Sequence, residues 1–317
     1  MTVLAQPPPG SPGGGTGLPQ PGVRPVGPPR PFAGRASLAR QVVAAACITL
    51  GVTLLGFTAW VLVLSRLGSD RVQYNDYANF RADLAQAIAP TGPTDPANPK
   101  AVLAPGTPVA VLRIPEIGLN AVVLEGTSGE VLEGGPGHLR DTPLPGQAGI
   151  SEVFGRRAAY GGVFTRISSL RPGELFTVTT GLGVARYRVV DSRQAGDPVP
   201  ALTGPGRLIL TTADGPPFAP TGVLRVDADL ISAAQPTSNP LFTGADLPSD
   251  EQLMGTDQVA WVRLVLWGIP LVIAASAVGW LGQRWGRWQA WIVAVPVLGY
   301  LGLAVASQAT LLFPNLL

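Results

Sequence analysis

Hydrophobic and polar positions fall into two regimes along the chain. Three stretches are apolar without a period: Val42–Leu64 ("VVAAACITLGVTLLGFTAWVLVL"), Leu264–Leu281 and Trp288–Phe313. Each is long enough to cross a bilayer as a helix. From Val109 to about Leu230 the pattern shortens to "VAVLRI", "AVVLEG", "ELFTVTT", "ARYRVVDS", "RLILTT" and "GVLRVDADL", divided by Gly and Pro. Short runs of branched residues between turn formers predict one all-β barrel or sandwich. The expected organisation is a Pro/Gly-rich disordered tail (1–41), a first transmembrane helix (42–65), and a juxtamembrane helix with a Pro-rich linker (66–108). The β domain (109–232) and a polar linker (233–259) follow. A second span (260–282), a basic loop (283–287) and a third span (288–313) complete it.

Composition supports the membrane reading. The chain has 317 residues, 46% of them hydrophobic and 13% charged, about half the charged share of an average soluble domain. The net charge of +2 gives no reason to expect nucleic acid. Arg24, Arg30, Arg35 and Arg40 precede the first apolar run, and Arg284 and Arg287 lie between the last two. Arginines at these places put the N-terminus and the second loop in the cytoplasm, and the β domain outside. The expected localisation is a multi-pass cell-membrane protein with the bilayer as its first partner. One cysteine, Cys47, and one histidine, His138, exclude an internal disulfide and a Cys/His zinc cluster. No cofactor and no metal is expected. The abundance of Arg, Gly, Ala and Pro, with Lys100 as the single lysine, fits a GC-rich actinobacterial source. The Pro-rich tail is read as a plain linker rather than a polyproline ligand.

The stretch "GISEVFGRRAAYGGVF" (Gly149–Phe164) places two arginines where a strand stops. Taken alone, Arg156 and Arg157 are a solvated strand end. Upstream stand Ile114-Pro115, Ile117-Gly118, Gly135-Pro136-Gly137-His138, Thr142 and Pro145-Gly146. In that order they resemble the opening of the sortase domain of Gram-positive bacteria, over about Pro108 to Leu230. The resemblance implies a sortase-type closed β-barrel with short helices, here on three spans. It also implies an activity: cleaving a sorting signal and joining it to an amine with a Cys, a His and an Arg.

Carried over residue by residue, the resemblance matches the family Asn to Ile150, the His to Arg156, the Cys to Ala213 and the Arg to Arg225. Arg157 matches the residue that follows the family His, and His138 matches an upstream histidine expected to be structural. A methyl group cannot attack a carbonyl. A permanently charged guanidinium is a poor proton donor or acceptor. Thr212, beside the lost thiol, turns to the opposite face by strand alternation. The expectation is a degenerate homologue at the cell surface. Its old site is expected to be plugged by ion pairs among Arg156, Arg225 and Asp214 or Glu152.

Three functions stay open at this point. The domain binds an extended peptide or surface protein, or docks another membrane protein, without catalysis. Alternatively, it is a cysteine-independent transpeptidase or hydrolase acting on sorting signals. As a third possibility, it is a structural subunit with an idle groove.

Overall fold

The computed structural model describes residue 10 and residues 56–60, 64–237, 241–284 and 287–317. The barrel and its helices belong to one compact unit within residues 50–317. The expected tail and most of the first apolar run lie outside the described residues.

Among the described residues ten strands form: β1 (Thr94–Asp95), β2 (Asn98–Val102), β3 (Pro108–Ile114), β4 (Leu119–Glu125), β5 (Gly137–His138), β6 (Gly149–Phe154), β7 (Leu175–Thr180), β8 (Gly183–Arg193), β9 (Gly206–Asp214) and β10 (Gly222–Leu230). The last eight close into a barrel in the order β10-β8-β7-β3-β4-β5-β6-β9. Its pairs are antiparallel except β4–β5 and β6–β9, which are parallel. The helices are α1 (Ser65–Ala85), α2 (Gly129–Gly134), α3 (Ala260–Arg284) and α4 (Arg287–Thr310). An all-β barrel with short helices was expected and is found. Among the described residues two helices, not three, are long and apolar enough to cross a membrane, Ala260–Val278 and Ile292–Thr310. The expected polar segments are also more structured than a linker. Residues 94–102 form the β1–β2 hairpin, and residues 241–259 bond to the barrel through Glu251.

The barrel interior follows from period two. In β8, Ala185, Tyr187 and Val189 are buried, while Arg186 and Arg188 between them are exposed. Tyr187 stacks on Phe176 with ring centroids 5.4 Å apart. Its hydroxyl accepts the Gly146 N–H at 2.6 Å, so a ring that fills the core also satisfies a buried backbone donor. Strand β9 breaks the alternation: eight of its nine residues, Gly206 to Ala213, are buried. Leu208 and Leu210 face the interior cluster with Val153, Leu224 and Val226. Ala213 joins a second cluster on the outer face, with Leu132, Phe154, Val223 and Leu316. A strand buried on both faces must be covered from outside, and residues far down the chain supply that cover.

Substituting Tyr187→Phe keeps the stacked ring and orphans the Gly146 N–H. Thermal unfolding of the full-length protein in detergent is expected to show a loss of about 1–3 kcal/mol. An unchanged midpoint would mean that this hydrogen bond contributes nothing.

Candidate functional site

The site lies on the outer face of the barrel, where β6, β9 and β10 run side by side. Thr211 pairs with Arg225 and Ala213 with Val223 across β9–β10. Phe154 pairs with Thr211 across β6–β9. Alternation therefore sets Glu152 and Phe154, Thr211 and Ala213, and Val223 and Arg225 on one surface.

That surface has three zones. At one end, Glu152 accepts the Thr211 hydroxyl at 2.6 Å and faces Arg225 Nε at 3.7 Å. Burial raises the Glu152 pKa; the Thr211 hydrogen bond, Arg225 and Arg193 oppose that rise. Beside them Arg193 pairs with the fully buried Asp227 at 2.6 Å. In the middle sits the apolar cluster over Ala213. Beyond it, Gly155 ends the ladder by donating its N–H to Thr211 O at 3.0 Å. The Arg156 side chain then turns towards α2. There its Nη2 donates to Gly129 O at 2.7 Å and its Nη1 to Leu317 O at 3.4 Å. Its guanidinium lies 4.8 Å from the centre of the Tyr160 ring.

The expected ionic plug is thus corrected. Arg225 and Glu152 do meet, but Arg156 and Asp214 do not join them. Phe154 stands between Glu152 and Arg156, and the break at Gly155 carries Arg156 off the sheet. No Asp or Glu side chain lies within 4.0 Å of Arg156 among the described residues. Its electrostatic neighbour is Glu133 in α2, whose own pKa burial raises. Asp214 accepts instead from Gln194 Nε2 at 2.7 Å. Thr212 is fully buried and donates its hydroxyl to Gly155 O at 2.7 Å. Ile150 is exposed. Arg157 donates Nε to Gly215 O at 3.0 Å and its backbone N–H to Leu316 O at 2.9 Å.

Residues that sequence reasoning passed over cover the centre. Leu316 is fully buried in the cluster over Ala213, with Leu139 and Met254 packed against it. Asn315 holds it there. The Asn315 Nδ2 group donates to Thr127 O, Gln252 O and Asp250 O at 2.8, 3.0 and 3.2 Å, and its N–H donates to Gly255 O at 2.9 Å. Segment 250–255 is itself anchored: Glu251 O accepts the Thr127 hydroxyl and Glu251 Oε1 pairs with Arg140 at 3.2 Å. The chain that leads into α3 and the chain that leaves α4 therefore close over the same face. A lone polar residue in "FPNLL" was the available signal.

His138 lies away from this surface, buried. Its Nδ1 is 2.9 Å from Glu125 Oε2, and its Nε2 is 3.1 Å from Pro143 O. An acceptor at each nitrogen suits the doubly protonated ring. Burial pushes its pKa down, but the Glu125 charge and hydrogen bonds outweigh that, and the net shift is upward. Among the described residues no His/Cys/Asp/Glu group is placed to hold a metal.

Known proteins share this framework. The sortase domain family matches residues 112–226. The chain belongs to the sortase family. It is 27% identical over 157 residues to sortase D of Bacillus subtilis (strain 168), covering 49% of this chain and 77% of the relative. Among solved structures, a point variant of sortase E from Streptomyces avermitilis is 31% identical, with 47% of this chain and all of the other covered, at a TM-score of 0.35. A Clostridium perfringens sortase D5 transpeptidase is 20% identical, with 51% and 99% covered, at a TM-score of 0.41. The assignment rests on the domain and the sequence likeness. Ala213 and Arg225, which the resemblance of the sequence matched to the family's Cys and Arg, lie on strands β9 and β10, whereas Arg156 lies beyond the end of β6.

The raised His138 pKa has a signed consequence. Its stabilisation is fully present below the unfolded value near 6.5 and fades as pH rises through the higher folded value. Substituting His138→Gln is expected to lower stability by about 1–3 kcal/mol at pH 6. The gap to the parent should narrow at alkaline pH in unfolding curves recorded from pH 5 to 9; a gap that widens with pH contradicts this assignment.

Proposed function

We propose that this protein is a membrane-anchored, extracytoplasmic sortase homologue that does not catalyse transpeptidation. In this reading the barrel is a scaffold at the cell surface, and its former groove is filled by the chain's own segment 311–317. The observation that carries the proposal is Leu316 buried on Ala213. A sortase reaction needs a thiolate there and an open path for a carbonyl to reach it. Here a methyl group and a packed leucine occupy both places. Arg156 also holds its charge and cannot protonate a leaving amine. Arg225 supports the same reading, since it faces Glu152 rather than an empty oxyanion position.

Two apolar helices, α3 and α4, support membrane anchoring, and arginines at their shared turn support a cytoplasmic position for it. The barrel then faces outward, held against the membrane by both chain crossings. A scaffold of this kind docks another membrane or surface protein by its remaining outer faces.

Two measurements test the proposal. Full-length protein incubated with a sorting-signal peptide and an amine acceptor is expected to give no ligated or hydrolysed product by mass spectrometry; turnover above the peptide-only control overturns the reading. In a Cys47→Ser background, the pair Ala213→Cys and Leu316→Cys is expected to form a disulfide under mild oxidation. The bond would be read as two halves that stay joined after cleavage at a protease site inserted near residue 240. Failure to cross-link would mean that the segment does not cover the groove.

A further inference from the structure

The barrel closes, yet strand β4 is short of a neighbour over half its length. It runs from Leu119 to Glu125, and β5 pairs only with Leu124 and Glu125. Beside its uncovered part lies a cavity of about 670 Å³, within the range of roughly 300–1,000 Å³ usual for ligand pockets. Arg66, Asp70 and Gln73 of α1 stand on one side of it, with Asn120 of β4 and Arg166 on the other. We propose that this cavity is a docking slot in which an extended, acidic peptide segment of a partner protein adds itself to the β4 edge. The inference rests on the scaffold reading above and gives that scaffold a mode of docking.

The direction of the backbone carries the argument. Successive residues of an antiparallel strand turn their N–H and C=O groups to opposite sides. The Val122 N–H donates to Gln73 Oε1 at 2.7 Å, and Val122 O accepts from Gln73 Nε2 at 3.0 Å. Both Val122 groups thus point away from β3. Leu124, two residues on, points the same way and donates its N–H to Pro136 O at 2.8 Å. Asn120, two residues back, belongs to the same series. Its N–H and C=O are directed to the cavity side, and neither has a protein partner among the described residues. Gln73 shows what the edge accepts. Its amide donates to and accepts from Val122 as the peptide group of an adjacent strand would. The next peptide group of such a strand falls beside Asn120, in the cavity, where two backbone hydrogen bonds await it. That is recognition by strand addition.

The helix wall is polar in the same place. Arg66, Ser69, Asp70 and Gln73 recur at helical spacing and share one face of α1, and all four line the cavity. A helix that simply packs on a barrel turns an apolar stripe towards it. Asp70 is the one carboxylate in the lining, and it makes no ion pair with Arg66 within 4.0 Å. The Arg66 guanidinium has no hydrogen-bond partner among the described residues, whereas Arg166 donates to Ile117 O. Two guanidiniums against one carboxylate leave the slot positive, so the complementary segment carries an acidic side chain.

The test uses the full-length protein in phosphatidylcholine nanodiscs and a phage-displayed library of random heptapeptides. Selected peptides, synthesised and titrated by fluorescence anisotropy, are expected to carry Asp or Glu. Asn120→Pro removes the outward N–H and no bond to β3, a change that an edge position tolerates. It should weaken binding about tenfold, the effect of one lost backbone hydrogen bond, while Asn120→Ala, which keeps the N–H, should bind as the parent does. Arg66→Gln should narrow the preference for each peptide over its Glu→Gln analogue. Should Asn120→Pro misfold, N-methylated peptides put the same question to the parent protein. Methyl groups on one set of alternate amides should weaken binding, and on the other set should not, because a paired strand turns only every second amide to the edge. An empty selection overturns the proposal. So do selected peptides without acidic residues, or binding that neither methylated set weakens. These variants leave the β6, β9 and β10 surface untouched, so the lack of transpeptidation stands or falls separately.

Discussion

Leu316 against Ala213 is the contact on which the rest of the molecule depends. Strand β9 needs cover on its outer face, because Ala213, Phe154 and Val223 present apolar surface there. A fully buried leucine contributes about 1.5–3 kcal/mol of transfer free energy. Its burial also ties the residues that follow α4 to the barrel. Once Leu316 is seated, Arg157 gives its N–H to the Leu316 carbonyl and Asn315 bridges three carbonyls of the β4–α2 and 250–252 turns. The barrel and the segments that flank the helical pair pack together through this surface.

Much of the barrel was legible in the sequence. Ordered Ile-Pro, Ile-Gly and Gly-Pro-Gly-His landmarks, with period-two runs between them, fix strand identity, and strand pairing then aligns Ala213 with Val223 and Arg225 with Thr211. The pairing of Arg225 with Glu152 was also within reach, because both lie on one face by alternation. Arg156 was not. Period two carries it to the same face only if the strand continues, and Gly155 ends the ladder one residue too soon. A single break in register decides whether two guanidiniums share a carboxylate or lie at opposite ends of a hydrophobic block.

The cover itself was hidden for a different reason. Apolar runs are read by length and hydropathy, and Trp288–Phe313 satisfies both, so the few residues after it look like a frayed end. Packing "PNLL" onto a strand a hundred residues earlier leaves no periodic trace. It rests on complementarity of volume: alanine opposite leucine, with asparagine donating to carbonyls that would otherwise be orphaned. Likewise, linker 241–259 reads as polar and loose, yet Glu251 pairs with Arg140 and Met254 packs on the site. Polar composition is compatible with a covering loop when the polar atoms face backbone groups.

A tethered occupant changes what the groove can do. Any peptide arriving from another protein competes with a segment held on the same chain, whose effective concentration is of the order of millimolar for a short tether. An incoming strand must then exceed both that local concentration and the hydrogen bonds of Asn315 before it touches Ala213. Weak, transient recognition of a passing strand on this face is therefore disfavoured by the covering segment. Under the proposed non-catalytic function, a methyl group at 213 and the cover over it act in the same direction. A small residue at 213 leaves room for Leu316, which packs in the same cluster. In the proposed function, the alanine that offers no nucleophile is also the residue on which the chain closes.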